Sequence, residues 1–462
     1  MKKNPNQYIP RLSLLLCLPL FLVNCNPDNQ ILYQSEHFSI HPNRVKQGDL
    51  TAIAINDESI KSNYPISTQS NETIWELSQN LDSLPKYESS SSLLNALYKL
   101  ALDESEMIIS NDTIFTSNKK IQAANTSDLA YAAILSMAIT HPKIAMKNLL
   151  NKVKHGKIVQ NSGTGGSWPI SSDRMIWSTA AWELYLSTGD LDWLKKAYFI
   201  IKNSTEDDLN VIWDYKNHLF KGEASFLNKR EQSYPAWMEP KDIAESYSLN
   251  IQAIHYNSLK VLIKMGKILS KDTQKYEHVS HALKGSIKQK FWLTDKNRYS
   301  QFLYQSDHLS ASKKSENLGE AMLVLWDIIP MERKTAIVNN TSVSAYGISC
   351  FSPQIANVPT YHNNAIWPFV QAFWNQAAAQ TNNMEAVHWG LSSSLRSTAL
   401  FLTNKEYFHM TTGDFKNSEK NQDAHLKSST GLLSNYYKIL LGLHYKENQL
   451  EFHPFIPREF KG

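Results

Sequence analysis

Residues 222–259 read GEASFLNKREQSYPAWMEPKDIAESYSLNIQAIHYNSL. The first twenty or so positions show neither strand nor helix periodicity. They carry three glutamates, Glu223, Glu231 and Glu239, set among Phe226, Tyr234 and Trp237. From near Ile243 the apolar residues recur at helical spacing, which predicts one long amphipathic helix, Asp242–Ile268. Aromatic rings stack on the apolar faces of sugar rings while carboxylates handle hydroxyls and protons, so this loop suits a carbohydrate cleft. It also suits a surface loop with ordinary acidic residues.

Working outward, helical spacing runs from about Ser89 to about Leu443 and divides into roughly twelve segments, the first Ser90–Glu106 and the last Ser429–Leu443. Many are split by short turns such as Ser187-Thr188-Gly189-Asp190 and Thr381-Asn382-Asn383. Longer connections at 154–172, 208–241, 340–362 and 403–428 alternate with these turns and hold most of the unusual residues. Repeated helix hairpins predict a mainly α fold, an (α/α)6 toroid of about six helical hairpins, or else a helical solenoid of similar periodicity. In a toroid the long loops gather at one end and build a site there. Residues 26–85 carry the strand-like HFSIHPNRV and LTAIAI, enough for two or three strands of a small N-terminal β-module. Residues 446–462 begin as an alternating strand that stops, as the truncated start of a further β-domain would.

The balance of 47 basic against 43 acidic residues, scattered along 462 positions, indicates no nucleic-acid partner. Twelve Trp, 21 Tyr and 17 Phe fit carbohydrate contact or a large filled core. No HxH, HExxH or Cys/His cluster, GxSxG elbow or phosphate-binding glycine loop occurs, so neither a metal nor a cofactor is expected. At the N-terminus, Lys2, Lys3 and Arg11 flank the apolar run Leu12–Val23, a segment of signal-peptide length. Its end, Leu22-Val23-Asn24-Cys25, resembles a bacterial lipobox, although Asn24 is larger than the usual residue there. The expectation is a signal peptide at 1–25, lipidation at Cys25, and export with a lipid anchor in the cell envelope. Cys350 is then left without a disulfide partner.

Four segments carry a family resemblance: GEASFLNKREQSYPAWMEP, YHNNAIWPF (361–369), GGSWPISSDRMIWSTAAWELYLSTGD (165–190) and EYFHMTTGDF (406–415). Together they resemble the six-hairpin glycosidase superfamily, in particular its glycogen-debranching-like bacterial lipoproteins, over residues 86–445. The resemblance implies hydrolysis of a glycosidic bond with inversion by two carboxyl groups, typically about 6.5–9.5 Å apart. By position it implies Glu239 as the acid, where relatives often have Asp, and Glu406 as the base. Glu239 also stands where it would favour the dipole of the following helix. Implied substrate contacts are Trp168 and Trp237 as stacking platforms and Asp173 with Arg174 as a hydroxyl-gripping pair. His362, Asn363 and Trp367 come from the YHNNAIWP element, Asp128 and Asp423 from other loops, and Glu223 and Glu231 stand as reserve acids.

The chain also departs from that pattern. Relatives often carry Trp-Thr-Arg-Asp where this chain has Asn125-Thr126-Ser127-Asp128, so the acid stays and the aromatic and arginine go. In NQDAHLKSS (421–429) Ala424 and Lys427 stand where relatives tend to have Arg and Trp, and Asn228 replaces a carboxylate. Three functions remain open: a glycoside hydrolase acting on an oligo- or polysaccharide, a catalytically impaired carbohydrate-binding descendant, and a polysaccharide lyase using Tyr361 or His362 as base.

Overall fold

Turn chemistry cuts the helical run into hairpins. Gly189 takes φ +68°, a left-handed conformation that a Cβ disfavours, and closes one helix. Asp190 caps the next, its Oδ1 accepting from the N–H groups of Asp192 and Trp193 at 2.9 Å each. Asn383 repeats the device after its own turn, accepting from Ala386 N–H at 3.0 Å.

The computed structural model describes residues 30–66, 72–160, 171–305, 308–415 and 423–460. Its main helices are α1 Ser92–Met107, α2 Thr126–Ala132, α3 Pro142–Leu150, α4 Trp177–Thr188, α5 Leu191–Val211 and α6 Leu249–Ile268. They continue with α7 Gln274–Lys290, α8 Asn317–Leu325, α9 Met331–Asn340, α10 Pro368–Gln380, α11 Met384–Phe401 and α12 Leu426–Ser434. Both α2 and α12 run on through π-helical turns, Ala133–Met137 and Asn435–Leu440.

The even-numbered helices form an inner ring: α2 packs on α4, α4 on α6, α6 on α8, α8 on α10, α10 on α12, and α12 returns to α2. Helices α3, α5, α7, α9 and α11 each back the inner helix before them, while α1, first in the chain, backs α12, the last. This closure is the (α/α)6 toroid and rules out an open solenoid. Because every hairpin returns, the inner helices share a direction. Their N-termini meet at one end, where Asp128 of α2 touches Lys427 of α12 and the Tyr131 ring meets Phe369 of α10. Their C-terminal halves meet at the other, where Lys438 reaches Glu183 of α4 at 3.3 Å. Fully buried Trp177 ties the ring to its outer layer, donating its indole N–H to the Leu149 carbonyl at 3.0 Å.

Three expectations are corrected. The long helix from Asp242 is broken into Pro240–Glu245 and α6, because Tyr247 and Ser248 pair with Leu303 and Phe302 as a short strand. Ser246 favours the break, its hydroxyl donating to the Ile243 carbonyl at 2.7 Å in place of a continued helical turn. Among the described residues the N-terminal sheet has six strands, β1 Tyr33–Gln34, β2 Ser39–His41, β3 Arg44–Gln47, β4 Leu50–Asn56, β5 Ser59–Ser62 and β6 Thr73–Glu76, paired antiparallel in chain order. The extra strands are short and polar, so alternation does not reveal them. One face of the sheet rests on α1 and α11, with Ser62 Oγ donating to the Leu400 carbonyl at 2.8 Å. The C-terminal strand, Leu450–Phe452, has a partner: it pairs antiparallel with Leu443–Tyr445. Among the described residues no helix is long and apolar enough to cross a membrane.

Candidate active site

The N-terminal ends of the inner helices carry partial positive charge, which favours anions near them. Carboxylates collect there. Asp128 lies in the first turn of α2, Asp173 in the 3-10 turn that leads into α4, and Glu316 caps α8, its Oε2 accepting from Gly319 N–H at 2.8 Å. Asp128 is bound by Lys427, Nζ to Oδ1 at 2.6 Å, with both side chains less than a tenth exposed. The same ammonium lies 4.7 Å from the Phe369 ring centroid and 5.5 Å from that of Trp367.

Glu223 is one of two carboxyls here whose chemistry burial alters strongly. Only 1% of the residue is exposed, and its Oε2 has no hydrogen-bond partner among the described residues. Burial, with Asp173 adding like-charge repulsion, pushes its carboxyl up to about 8. At neutral pH it carries its proton. Asp173 is held in turn, accepting from Gln160 Nε2 at 2.7 Å and Ser225 Oγ at 3.1 Å, while Ser225 also meets the Tyr131 hydroxyl at 2.7 Å. Burial likewise raises Glu316 to about 8.

Beside these acids stands an aromatic box. Trp367 and Tyr407 stack at 5.8 Å with an 18° interplanar angle, and Tyr361 and His362 close the sides at 5.3 Å from Trp367. Phe226 adds a ring 5.6 Å from His362 and from Trp367, which requires the left-handed φ of +51° that bulky residues seldom adopt. Burial and the nearby Lys229 and Lys427 ammonium groups hold His362 well below the usual imidazole range, so it is neutral. Glu406 sits at the edge of the box, Oε1 3.6 Å from His425 Nε2, and burial followed by the Glu406 charge raises the Tyr361 phenol.

The structure thus brings together Asp128, Asp173, Glu223, His362, Trp367 and Glu406. Other expected residues lie elsewhere. Glu239 is an exposed helix cap, its side chain 68% accessible, paired with Arg230 at 3.1 Å and sharing a reciprocal cap with Asp242. Its surroundings are those of a surface helix cap, away from the inner helix N-termini. Glu231 is exposed on the short helix Arg230–Ser233. Trp237 is 57% exposed and meets Tyr304 edge to face at the surface. Arg174 does not pair with Asp173: it turns outward to Asp208 of α5 at 2.6 Å and to the Ile158 carbonyl at 3.1 Å. The Asn363 amide is consumed by the loop before it, bonding Ile355 N–H at 2.7 Å and the Ile355 and Val358 carbonyls at 3.0 and 3.1 Å. Asp423 pairs with Lys119 at 2.8 Å, away from Asp128. Trp168 and Cys25 lie outside the described residues.

Glu316 and Tyr131 are not singled out by the sequence. An acid before an apolar helix reads as a cap, which Glu316 also is, and Tyr131 sits inside an apolar helix where a core role is the default reading. Lys427 stands out in the sequence only as a departure, and its salt bridge links residues 299 positions apart.

Residues 160–352 match the bacterial alpha-L-rhamnosidase six-hairpin glycosidase domain. No curated protein matches the chain. Among solved structures the chain is similar to one titled "Sialidase" (TM-score 0.62, 14% identity, 81% of this chain and 36% of that one). It is also similar to the GH78 family rhamnosidase of Bacillus sp. GL1 (TM-score 0.59, 15% identity, 81% and 37%). A third is the GH63 mannosylglycerate hydrolase from Thermus thermophilus in complex with glucose (TM-score 0.57, 11% identity, 74% and 100%). The chain therefore spans little more than a third of the first two and the whole of the third. With its closed ring of six inner helices, the chain carries the six-hairpin glycosidase fold, and its central part is similar to the rhamnosidase form of that domain.

Proposed function

We propose that the chain is a glycoside hydrolase that cleaves an oligo- or polysaccharide with inversion, with Glu223 as proton donor and Glu406 as base. The observation that carries this is Glu223: a buried carboxyl raised to about 8, whose Oε2 has no hydrogen-bond partner among the described residues, set among carboxylates and aromatic rings at the helix N-termini. In the step, the Glu223 proton goes to the glycosidic oxygen as the bond to the anomeric carbon breaks. Glu406 takes a proton from the water that attacks the opposite face. Asp173, bonded to Ser225, holds the loop that carries Glu223. Tyr361, packed edge to face on the buried Trp367, would stand at the side of the sugar with Lys229 over the Tyr361 ring. Alpha-L-rhamnosides are the first substrates to try, given the domain match, with mannosylglycerate next. Export and an acyl anchor at Cys25 belong to the same proposal and rest on the lipobox-like run before it.

One observation favours a second function, binding without turnover. The Lys427 ammonium occupies the carboxylate of Asp128 in a nearly closed space, where a sugar hydroxyl would otherwise bond. The test is reducing-sugar release across rhamnosides, mannosides and glucosides, with proton NMR of the first-formed anomer. Release of the inverted anomer supports hydrolysis, the retained anomer refutes the mechanism, and binding without release favours the second function.

A further inference from the structure

The end of the ring opposite the carboxylates holds a cavity of about 540 Å³. Trp182 and Glu183 of α4, Tyr256, Lys260 and Lys264 of α6, and the hairpin strand Leu443–Tyr445 form its walls. A smaller hollow of about 340 Å³ adjoins it and shares Tyr256, Lys260 and Lys284.

Five lysines, Lys260, Lys264, Lys284, Lys438 and Lys446, line the larger cavity against three acids, Glu183, Asp327 and Glu447. Lys438 is matched by Glu183 at 3.3 Å, and Asp327 is engaged by Lys334 and by Gln380. Among the described residues Lys260, Lys264 and Lys284 form no ion pair, and the acids that act on them from further off, Glu277 on Lys260 and Asp327 on Lys284, are each paired with another lysine. Lys264 and Lys284 lie instead over rings, 5.2 Å from Trp182 and 5.6 Å from Tyr256, and Lys284 donates to the Asp327 carbonyl at 2.9 Å. Lys260 and Lys264 are four residues apart on one helix, where like charges repel. Lys260 stands about two turns before the end of α6, too far for the C-terminal dipole to account for it. Burial, then Lys288 and Lys260, hold the Lys284 ammonium below its ordinary range. Mutually repelling cations beside aromatic walls in a cavity of this size match a ligand that brings both an apolar ring face and negative charge.

We propose that this cavity is a second binding site, for an acidic saccharide, with Trp182 and Tyr256 beside the sugar ring and Lys260, Lys264 and Lys284 on its carboxylate or phosphate ester. It lies at the far end of the toroid from Glu223, so it stands or falls independently of the proposed hydrolysis.

The experiment is calorimetric titration of the full chain with digalacturonic acid, glucose 6-phosphate and neutral maltose. It is repeated on Lys260→Gln, Lys264→Gln and, as a control at the other end, Glu223→Gln. The lysines face solvent, and matching thermal melts verify that the variants are folded. The expected result is binding of at least one acidic probe, weakened about fivefold by each lysine substitution and unchanged in Glu223→Gln. The probe that binds identifies the anion as carboxylate or phosphate. No binding of either acidic probe at millimolar concentration, binding equal to that of maltose, or binding indifferent to both lysine variants overturns the proposal.

Discussion

Replacing Glu223 with glutamine removes the proposed proton donor and, in the same change, removes a buried acid that resists ionisation. The two effects have opposite signs. In the folded chain the carboxyl is raised from an ordinary 4.5 to about 8. Below the unfolded value both states hold the proton and the group adds no pH dependence. As pH rises from 4.5 toward 8 the unfolded chain releases its proton while the folded chain keeps it, so stability falls by about 1.4 kcal/mol per pH unit and levels off above 8. Over that window the ceiling is roughly 5 kcal/mol, and relaxation with water entry leaves about 1–3 kcal/mol to be measured. Glutamine keeps the shape and loses the titration. Urea unfolding at pH 5 and pH 8 is therefore expected to give similar stabilities for parent and variant at the lower pH and a more stable variant at the higher. Hydrolysis by the variant is expected to drop about 10²–10⁴-fold. A variant less stable than the parent at pH 8, or a parent–variant difference that does not change with pH, would refute the placement of Glu223 as a buried, neutral acid.

Other perturbations test the surroundings. Lys427→Met leaves Asp128 as an uncompensated buried charge and is expected to cost about 3–5 kcal/mol in urea unfolding, with Lys427→Met/Asp128→Asn recovering much of it. A loss under about 1 kcal/mol in the single variant would mean that the pair is solvated. Asn363→Ala deletes three hydrogen bonds that close the loop 355–363, which carries Tyr361 and His362. It is expected to cost about 2–3 kcal/mol, to speed hydrogen exchange across 355–362, and to raise KM more than it lowers kcat. A purely catalytic loss with unchanged exchange would instead point to direct sugar contact by Asn363.

The helical periods and the Gly-Asp and Asn turns made the helix hairpins legible, because amphipathic spacing and caps are local signals. Ring closure was not, since α12 meets α2 from the far end of the helical run and no local pattern encodes that contact. The site was legible as a set of loops and less so as individual residues. Glu223 and Glu239 sit on one loop with the same side chain, and motif position favoured the latter. Burial separates them: one faces the ring of helix N-termini, the other caps a surface helix beside Arg230. Asp173 and Arg174 are adjacent in sequence, yet the turn into α4 sends one inward to Ser225 and the other outward to Asp208.

The most direct measurement is the turnover of one glycoside, chosen from the panel that the parent cleaves, by Glu223→Gln, Glu406→Gln and Glu239→Gln side by side. Loss in the first two with near-parental turnover in the third is the predicted result. Turnover that survives in Glu223→Gln and vanishes in Glu239→Gln would contradict it, as would a folded parent that cleaves no glycoside at all.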